Sequence, residues 1–475
     1  MKIIILGAGQ VGTSVAESLV SEANDITVVD NDPVCLQAMQ DKLDLRTVVG
    51  NGASPSVLRN AGAEDADLLI AVTQSDQTNL CACRIAKTVF NLPTRIARLR
   101  SADFVDHPEL LDDDNFAVDF SICPEQIVTD YIRKLIAFPE ALQVLEFGNG
   151  RISLVAVKAV EGGPLVGNPV REIRAHIPNV DARIAAVFRR DQPIIPEGDT
   201  VIEVGDEVFC LADTLHIRHV MRELRHLEKP VKRIMIVGGG NIGYRLARAI
   251  DGNYQIKIIE SSSRRAEFLA LNLKNALVLQ GDATDEDLLE SERIDEMDLF
   301  LALTNDDENN IMAASLAKRM GAQRTLALIN RRSYVDLVQS GPIDIAISPA
   351  IISIGTLLAH VRRGDVTAVH SLRRGAAEAL ELVAHGDAKT SKVVGRRVED
   401  IPLPKGATIA AIVRATTEAQ PYRENELVIE KRYDVTIIAH HDTVIEPEDH
   451  VIVFVVSKKL VPRVEKLFQV GFGFL

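Results

Sequence analysis

Two octets constrain this chain more than any other feature. Residues 5–12 read ILGAGQVG and residues 236–243 read IVGGGNIG, so Gly7, Gly9 and Gly12 recur as Gly238, Gly240 and Gly243. An enzyme that uses one nucleotide needs one such loop, and a second copy at a fixed period marks a duplication. The correspondence runs on. VVGNGASPSVL (48–58) aligns with VLQGDATDEDLL (278–289), and DLLIAVTQSDQTN (67–79) aligns with DLFLALTNDDENN (298–310). The copies join near LEKPVKR (227–233).

Each copy opens on short apolar, β-branched runs. In the first these are KIIIL, DITVV, LRTVV, DLLIAV and TRIARL, separated by helical stretches such as VGTSVAESLVSE and TNLCACRIAKTVF. Runs of that length with little polar alternation suit strands covered on both faces, and their alternation with helices predicts βαβ units in a parallel, doubly wound sheet. The later part of each copy changes character. RISLVAVKAV and ARIAAVFRRDQPIIPEGDTVIEVGDEVFCLA, echoed by ATIAAIVRA and HHDTVIEPEDHVIVFVV, alternate like half-exposed strands broken by Pro and Gly turns. DTVIEVGDEV (199–208) meets its echo DTVIEPEDHV (442–451) at a longer spacing than the glycine loops do, so extra residues are expected within RATTEAQPYRENELVIEKRYDV (414–435). CPEQIVTDYIRKLIAF (123–138) and SPAIISIGTLLAHV (348–361) each place Pro at a first helical position. The expected fold class is α/β: two tandem Rossmann-like doubly wound parallel-sheet domains, each followed by a small β-rich α+β domain. The boundaries fall at 1–140, 141–229, 230–367 and 368–475.

The glycine loops predict nucleotide binding because each follows an apolar strand and opens a helix. The first glycine makes the turn, the second lets a pyrophosphate approach the backbone, and the third packs helix on strand. Gly7, Ala8, Gly9, Gln10, Val11 and Gly12 form the first candidate loop, and Gly238, Gly239, Gly240, Asn241, Ile242 and Gly243 the second. DITVVD ends at Asp30 and QIKIIE at Glu260, where a carboxylate can accept from both ribose hydroxyls and would repel a 2′-phosphate. That favours NAD(H), or ATP or ADP, over NADP. Asn51 and Asp282, past the third strands, are candidates for the adenine edge. Thr73–Gln74 and Thr304–Asn305, at the fourth strand ends, are either phosphate and ribose contacts or turn and cap residues. RIARLRSADF (95–104) is expected to carry Arg98 and Arg100 on one strand face, both aimed at phosphate. Their counterparts in TLALINRRSY (325–334) are Leu328 and Asn330, so the two sites are expected to be inequivalent.

Exclusions narrow the function. A formal net charge of −14 argues against a nucleic-acid partner. The five cysteines (Cys35, Cys81, Cys83, Cys123, Cys210) show no metal spacing and are expected as reduced core thiols. The opening MKIIILGAG is too short for a signal sequence, and no window reaches the ~18 apolar residues of a membrane span. GxxxxGK[ST], HExxH and GxSxG motifs are absent, and no histidine of the first copy has a clear counterpart in the second. No metal site and no catalytic residue is expected. A sensor whose domains rearrange on binding therefore suits the chain better than a dehydrogenase, and the alternatives are an NAD-dependent oxidoreductase or a nucleotide-binding scaffold.

The run KIIILGAGQVG … ITVVD … VVGNGASPSVLRNAGAEDADLLIAVTQSDQTN resembles an RCK (KTN) domain, and GGPLVGNPVREI … PEGDTVIEVGDEVF resembles its C-terminal partner domain. The tandem, with GGGNIG and LTNDDENNIMAASLAKRMGA in the second half, is similar over nearly its whole length to the bacterial Trk-system potassium-uptake regulators. The resemblance implies a cytoplasmic, peripheral subunit on the inner-membrane face, bound to a membrane potassium-translocating protein of the TrkH/TrkG type. It implies NAD(H) or ATP/ADP as ligand and RCK units assembled as a homo-oligomeric ring, paired through residues 123–138 and 348–361. On the family pattern Gly7 to Val11, Asp30, Thr73–Gln74 and Arg98 hold the first nucleotide, and Gly238 to Ile242 and Glu260 the second.

Overall fold

A computed structural model describes the chain apart from residues 21–23, 106, 191, 227–228, 332–333, 335–337, 339–340, 362–365, 373–376, 422–427 and 471–475. Strands β1 (Lys2–Leu6), β2 (Asp25–Asp30), β3 (Arg46–Val49), β4 (Leu68–Ala71), β5 (Thr94–Arg98) and β6 (Phe120–Ile122) pair in parallel in the order β3-β2-β1-β4-β5-β6. The order reverses between β1 and β4, which opens a crevice at the carboxyl ends of the strands. Ile3 to Leu6 are all buried, as a run covered by helices on both faces must be. The helix Gln10–Val20 buries Gly12, Val15, Ala16 and Leu19, a single helical stripe.

The first small sheet is antiparallel: β7 (Ala141–Phe147), β8 (Ile152–Lys158), β9 (Ala182–Arg189), β10 (Gln192–Ile194) and β11 (Glu207–Asp213), in the order β10-β9-β11-β8-β7. The second copy repeats both layers. β12 (Arg233–Val237), β13 (Gln255–Glu260), β14 (Leu277–Gln280), β15 (Leu299–Ala302), β16 (Thr325–Leu328) and β17 (Ile345–Ile347) form a sheet in the order β14-β13-β12-β15-β16-β17. β18 (Val366–Leu372), β19 (Ala377–Ala384), β20 (Ala407–Pro421), β21 (Val428–Ile438) and β22 (Asp449–Val455) form the other, ordered β18-β19-β22-β20-β21. The extra residues expected at 414–435 lengthen the β20–β21 hairpin, paired from Ala411↔Ile438 to Pro421↔Val428, while residues 422–427 lie outside the described set.

The chain gathers into two compact units that the linear order does not reveal. One unites 1–133 with 231–357, the two parallel sheets, and the other unites 134–230 with 358–475, the two antiparallel ones. Each small domain hides one carboxylate under a forked arginine. Arg189 grips Asp206 at 2.9 and 2.8 Å, and Arg414 grips Asp449 at 2.8 Å through both nitrogens. Both acids hold the eighth position of the repeated stretches DTVIEVGDEV (199–208) and DTVIEPEDHV (442–451), so a shared sequence echo becomes a shared buried pair.

The cysteines need one correction. Cys83 and Cys210 are buried, and burial pushes the Cys83 thiol up to about 12. Cys35 and Cys81 are exposed and Cys123 is half-buried, so the five are not all core thiols. Helical geometry accounts for one pair, since positions two apart on the helix Asp76–Phe90 face different sides. Cys35 lies in the first turn of the helix Pro33–Gln40, beside the capping Asp32.

Candidate functional site

Each glycine loop begins where a buried strand ends. Gly7 follows β1 with φ of +106°, and Gly238 follows β12 with φ of +92°, a left-handed backbone that favours glycine. The third glycine of each loop packs on the first. A Cβ on Gly12 would stand 1.9 Å from the Gly7 carbonyl oxygen, and one on Gly243 would stand 2.0 Å from that of Gly238. The middle glycine faces open space, for a Cβ on Gly9 or Gly240 meets nothing within 4 Å. Gln10 and Asn241, exposed, open the helices Gln10–Val20 and Asn241–Ile250, and Val11 and Ile242 follow half-buried. The helix N-termini direct their N–H groups and partial positive charge toward the crevice.

The acidic residues brace these loops. Asp30 accepts the Ala8 N–H at 2.6 Å and the Asp32 N–H at 2.9 Å, while Glu260 accepts those of Gly239 at 2.8 Å and Ser262 at 2.9 Å. Each carboxylate oxygen so engaged keeps a further lone pair for a ribose hydroxyl.

The other sequence candidates occupy turns around the crevice. Asn51 Oδ1 accepts the Ala53 N–H at 2.9 Å. Asp282 Oδ1 accepts the Thr284 N–H at 2.9 Å and its hydroxyl at 2.8 Å, which hold the Asp282 carboxyl below its ordinary range. The Thr73 hydroxyl donates to Asn79 Oδ1 at 2.7 Å, and the Thr304 hydroxyl donates to Asn310 Oδ1 at the same distance. The two threonine hydroxyls therefore hold turns; Gln74 and Asn305 beside them are exposed. Asn79 and Asn310 were not picked out as site residues, although both end the aligned repeat at 67–79 and 298–310. Each is fully buried and spans two strands, donating on to the carbonyl of Arg98 (2.9 Å) or Leu328 (2.8 Å).

The arginines require a second correction. They do not share one strand face, because β5 ends at Arg98 and Arg100 lies beyond it. The cause is Asp76, whose carboxylate takes the Arg100 N–H at 2.9 Å and the Ser101 N–H at 2.8 Å and so turns the chain out of the sheet. Asp307 does the same in the second copy, accepting the N–H groups of Asn330 (2.8 Å) and Arg331 (2.7 Å). Arg98 and Arg100 nevertheless meet, on a residue the sequence reading missed. Arg98 Nη2 and Arg100 Nε both reach Glu125 Oε1, at 3.2 and 2.9 Å, and the Glu125 side chain is 8% exposed. Arg98 Nε is buried with no hydrogen-bond partner, a donor left available. The second copy has Leu328, Asn330 and Ala350 where the first has Arg98, Arg100 and Glu125, and Leu328 is buried as a core residue.

The second cradle has a cation elsewhere. Arg265 Nε donates to the Gly239 carbonyl at 2.6 Å, and its guanidinium lies 4.6 Å from the Phe268 ring centre and 5.5 Å from that of Tyr244. Cys35 holds the equivalent helical position in the first copy. An adenine nucleotide fits what both cradles offer: an open middle glycine, a helix N-terminus and an acid at the second strand's end. Among the described residues no group of three or more His, Cys, Asp or Glu could hold a metal ion. No helix of the described chain is long and apolar enough to cross a membrane.

Comparison with known proteins agrees with this geometry. The TrkA-N domain family matches residues 3–114 and again 234–349, and the TrkA-C domain family matches 154–225. The Trk system potassium uptake protein TrkA of Vibrio alginolyticus is 55% identical over 470 residues, covering 99% of each chain. That of Halomonas elongata is 54% identical over the full length of both chains, and that of Haemophilus influenzae is 49% identical over 99% of each. Among solved structures, the GsuK RCK domain superposes with a TM-score of 0.60 at 18% identity, covering 98% of this chain and 94% of its own. The GsuK channel bound to NAD superposes with a TM-score of 0.59 at 18% identity, over 98% and 78%. The fold is thus that of tandem RCK domains, and the chain belongs to the family of Trk system potassium uptake proteins TrkA.

Proposed function

We propose that this chain is the nucleotide-binding regulatory subunit of a Trk-type potassium uptake system. In this reading it lies at the cytoplasmic face of the inner membrane and gates a potassium-translocating subunit of the TrkH/TrkG type. It acts as a homo-oligomer, a ring of RCK units paired through residues 123–138 and 348–361. The observation that carries the reading is the pair of glycine cradles inside one compact unit, in a chain that spans the full length of relatives named for potassium uptake.

The first site is Gly7 to Gly12 with Asp30, flanked by Thr73, Gln74, Arg98 and Arg100, with Asn51 toward the adenine side. The second is Gly238 to Gly243 with Glu260, flanked by Asp282, Thr304 and Asn305. NAD(H) or ATP/ADP is the ligand, and it supplies negative charge and binding energy at the helix N-termini. Asp30 and Glu260 accept from the ribose and disfavour a 2′-phosphate. Arg98 and Arg100 trade their common partner Glu125 for phosphate oxygens, which changes how the loop after β5 is held. Binding energy becomes regulation only where two arrangements bind the ligand unequally, and a tenfold shift in population requires about 1.4 kcal/mol of such difference.

Liposomes holding the potassium-translocating partner test this. Potassium flux, measured with and without the chain across an ATP, ADP and NADH series, should depend on both chain and nucleotide. Flux indifferent to the chain under every nucleotide, together with steady NADH turnover by a hydride acceptor, would establish the oxidoreductase alternative instead.

A further inference from the structure

Arg245 belongs to the second copy but serves the first. It sits on the helix Asn241–Ile250, which opens at the second glycine loop. Its guanidinium donates through Nη2 to the Arg100 carbonyl at 2.9 Å and through Nη1 to Gln126 Oε1 at 3.2 Å. Both contacts lie within the compact unit that unites 1–133 with 231–357. The segment it grips bears the first site's cations. Asp76 takes the Arg100 N–H, Glu125 takes the Arg100 side chain at 2.9 Å, and Arg245 takes the Arg100 carbonyl. Gln126, the other anchor, adjoins Glu125 on the helix Pro124–Ala137. The arrangement runs one way only, for Ser14 holds the place of Arg245 in the first copy's helix.

We propose that Arg245 is a positioning residue of the first nucleotide site, supplied by the second copy. The proposal rests on the reading of the first cradle as a nucleotide site. A guanidinium presents its donors as a rigid fork, and charged donors bond carbonyls more strongly than neutral ones. Here one fork joins two separate elements, the loop after β5 and the helix that carries Glu125. It thereby fixes the spacing between the two arginines and the acid that holds them. Without it Asp76 still holds the Arg100–Ser101 peptide, but the peptide loses its tie to the helix that carries Glu125, and Arg98 and Arg100 meet a phosphate only after that spacing is set again. The helix that carries Arg245 begins at the second glycine loop, so its placement links the two sites, and any such linkage is reciprocal.

Calorimetric titration of the full chain with ATP decides the matter. Arg245→Met keeps the stem and removes the donors, and it should weaken ATP at the Arg98-dependent site roughly three- to tenfold. Arg245→Lys should recover part of that loss and serves as the folding control. In an Arg98→Ala/Arg100→Ala background, adding Arg245→Met should change nothing further, since the groups it positions are gone. A role limited to holding the copies together would weaken ATP by the same factor in both backgrounds, and that result overturns the proposal. So does Arg245→Met binding like the unaltered chain while Arg98→Ala does not. If the unaltered chain takes up no ATP at all, the reading of the first cradle fails and carries the proposal down with it.

Discussion

The first and second glycine cradles have the same backbone and different charges. Gly7 and Gly238 turn with positive φ, Gly12 and Gly243 pack on those turns, and Asp30 and Glu260 brace the loops through the same amide. Asp76 and Asp307 end the fifth strand alike, and Asn79 and Asn310 tie it to the fourth. All of these fix the main chain. The side chains facing the far end of the crevice diverge together: Arg98, Arg100 and Glu125 become Leu328, Asn330 and Ala350. An ion-paired cluster cannot be lost one member at a time without leaving a poorly solvated charge unpaired, so the three differ as a set. The comparison teaches that fold and ligand class reside in separable residues.

The sharpest way to break it is to truncate equivalent positions. Leu328→Ala should cost about 2–5 kcal/mol of stability by opening the second core and leave phosphate binding unchanged. Arg98→Ala should do the reverse. It removes a charge-assisted hydrogen bond worth roughly 1.5–3 kcal/mol from the ligand and lowers the melt less than Leu328→Ala does, because Arg100 still pairs with Glu125 at 2.9 Å. Calorimetric melts and ATP titrations on the same preparations separate the two. A loss of ATP affinity in Leu328→Ala equal to that in Arg98→Ala would erase the distinction.

The small domains differ in titratable groups as the large ones differ in charge. The second carries His370, whose Nε2 lies 3.1 Å from the Glu146 carbonyl, and His450, whose Nδ1 lies 2.7 Å from Glu381 Oε1. Glu381 also accepts the Gly148 N–H at 2.9 Å. Loss of hydration pulls His370 down to about 4, so its contribution to stability is complete above its ordinary 6.5 and is lost as pH falls from there toward 4. His450 is raised, first by its hydrogen bond to Glu381. Its contribution is complete below about 6.5 and disappears as pH rises through the raised value. Protection of the β18 and β19 amides, measured as exchange relative to the intrinsic rate at each pH, should therefore fall toward pH 4, by an opening energy on the order of 2–3 kcal/mol. His370→Phe should flatten that acid limb, and His450→Gln should flatten the alkaline one. An unchanged acid limb in His370→Phe would show that another group governs it.

The shared backbone yields a prediction of comparable or smaller size. Gly12→Ala and Gly243→Ala drive a Cβ into a backbone oxygen and should each cost about 1–3 kcal/mol. Gly9→Ala and Gly240→Ala enter open space and should melt within about 0.5 kcal/mol of the unaltered chain, while losing nucleotide affinity. A silent Gly243→Ala beside a damaging Gly12→Ala would mean that the two loops do not share a backbone. The smallest effect concerns Glu125. If it competes with phosphate for Arg98 and Arg100, Glu125→Gln should raise ATP affinity a few-fold, by about 1 kcal/mol. A fall in affinity would recast Glu125 as a group that orients the arginines.

Much of this was legible along the chain because the informative contacts are local. Glycine spacing, five of the six strands of the first sheet and the prolines that start helices at Pro124 and Pro349 all rest on periods of a few residues. The sixth strand, Phe120–Ile122, is too short to show a period. The end of β5 was not legible because the carboxylate that fixes it, Asp76, lies 24 residues away in sequence. Glu125 carries no local mark beyond its place in the first turn of a helix, because its partner Arg98 lies 27 residues earlier. Arg245 reaches across 145 residues to Arg100, and no local pattern marks it. Asn79 and Asn310 were legible in principle, since both sit at the end of a matched repeat.

The central claim is that one chain holds two unequal nucleotide sites, the first strengthened by Arg98 and Arg100. Its most direct test is calorimetric titration of the full chain with ATP, repeated on Arg98→Ala and on Glu260→Ala. Two separable binding phases are expected, the tighter weakened at least tenfold by Arg98→Ala and the weaker reduced by Glu260→Ala alone. A single class of two equal sites, indifferent to Arg98→Ala, would contradict the account.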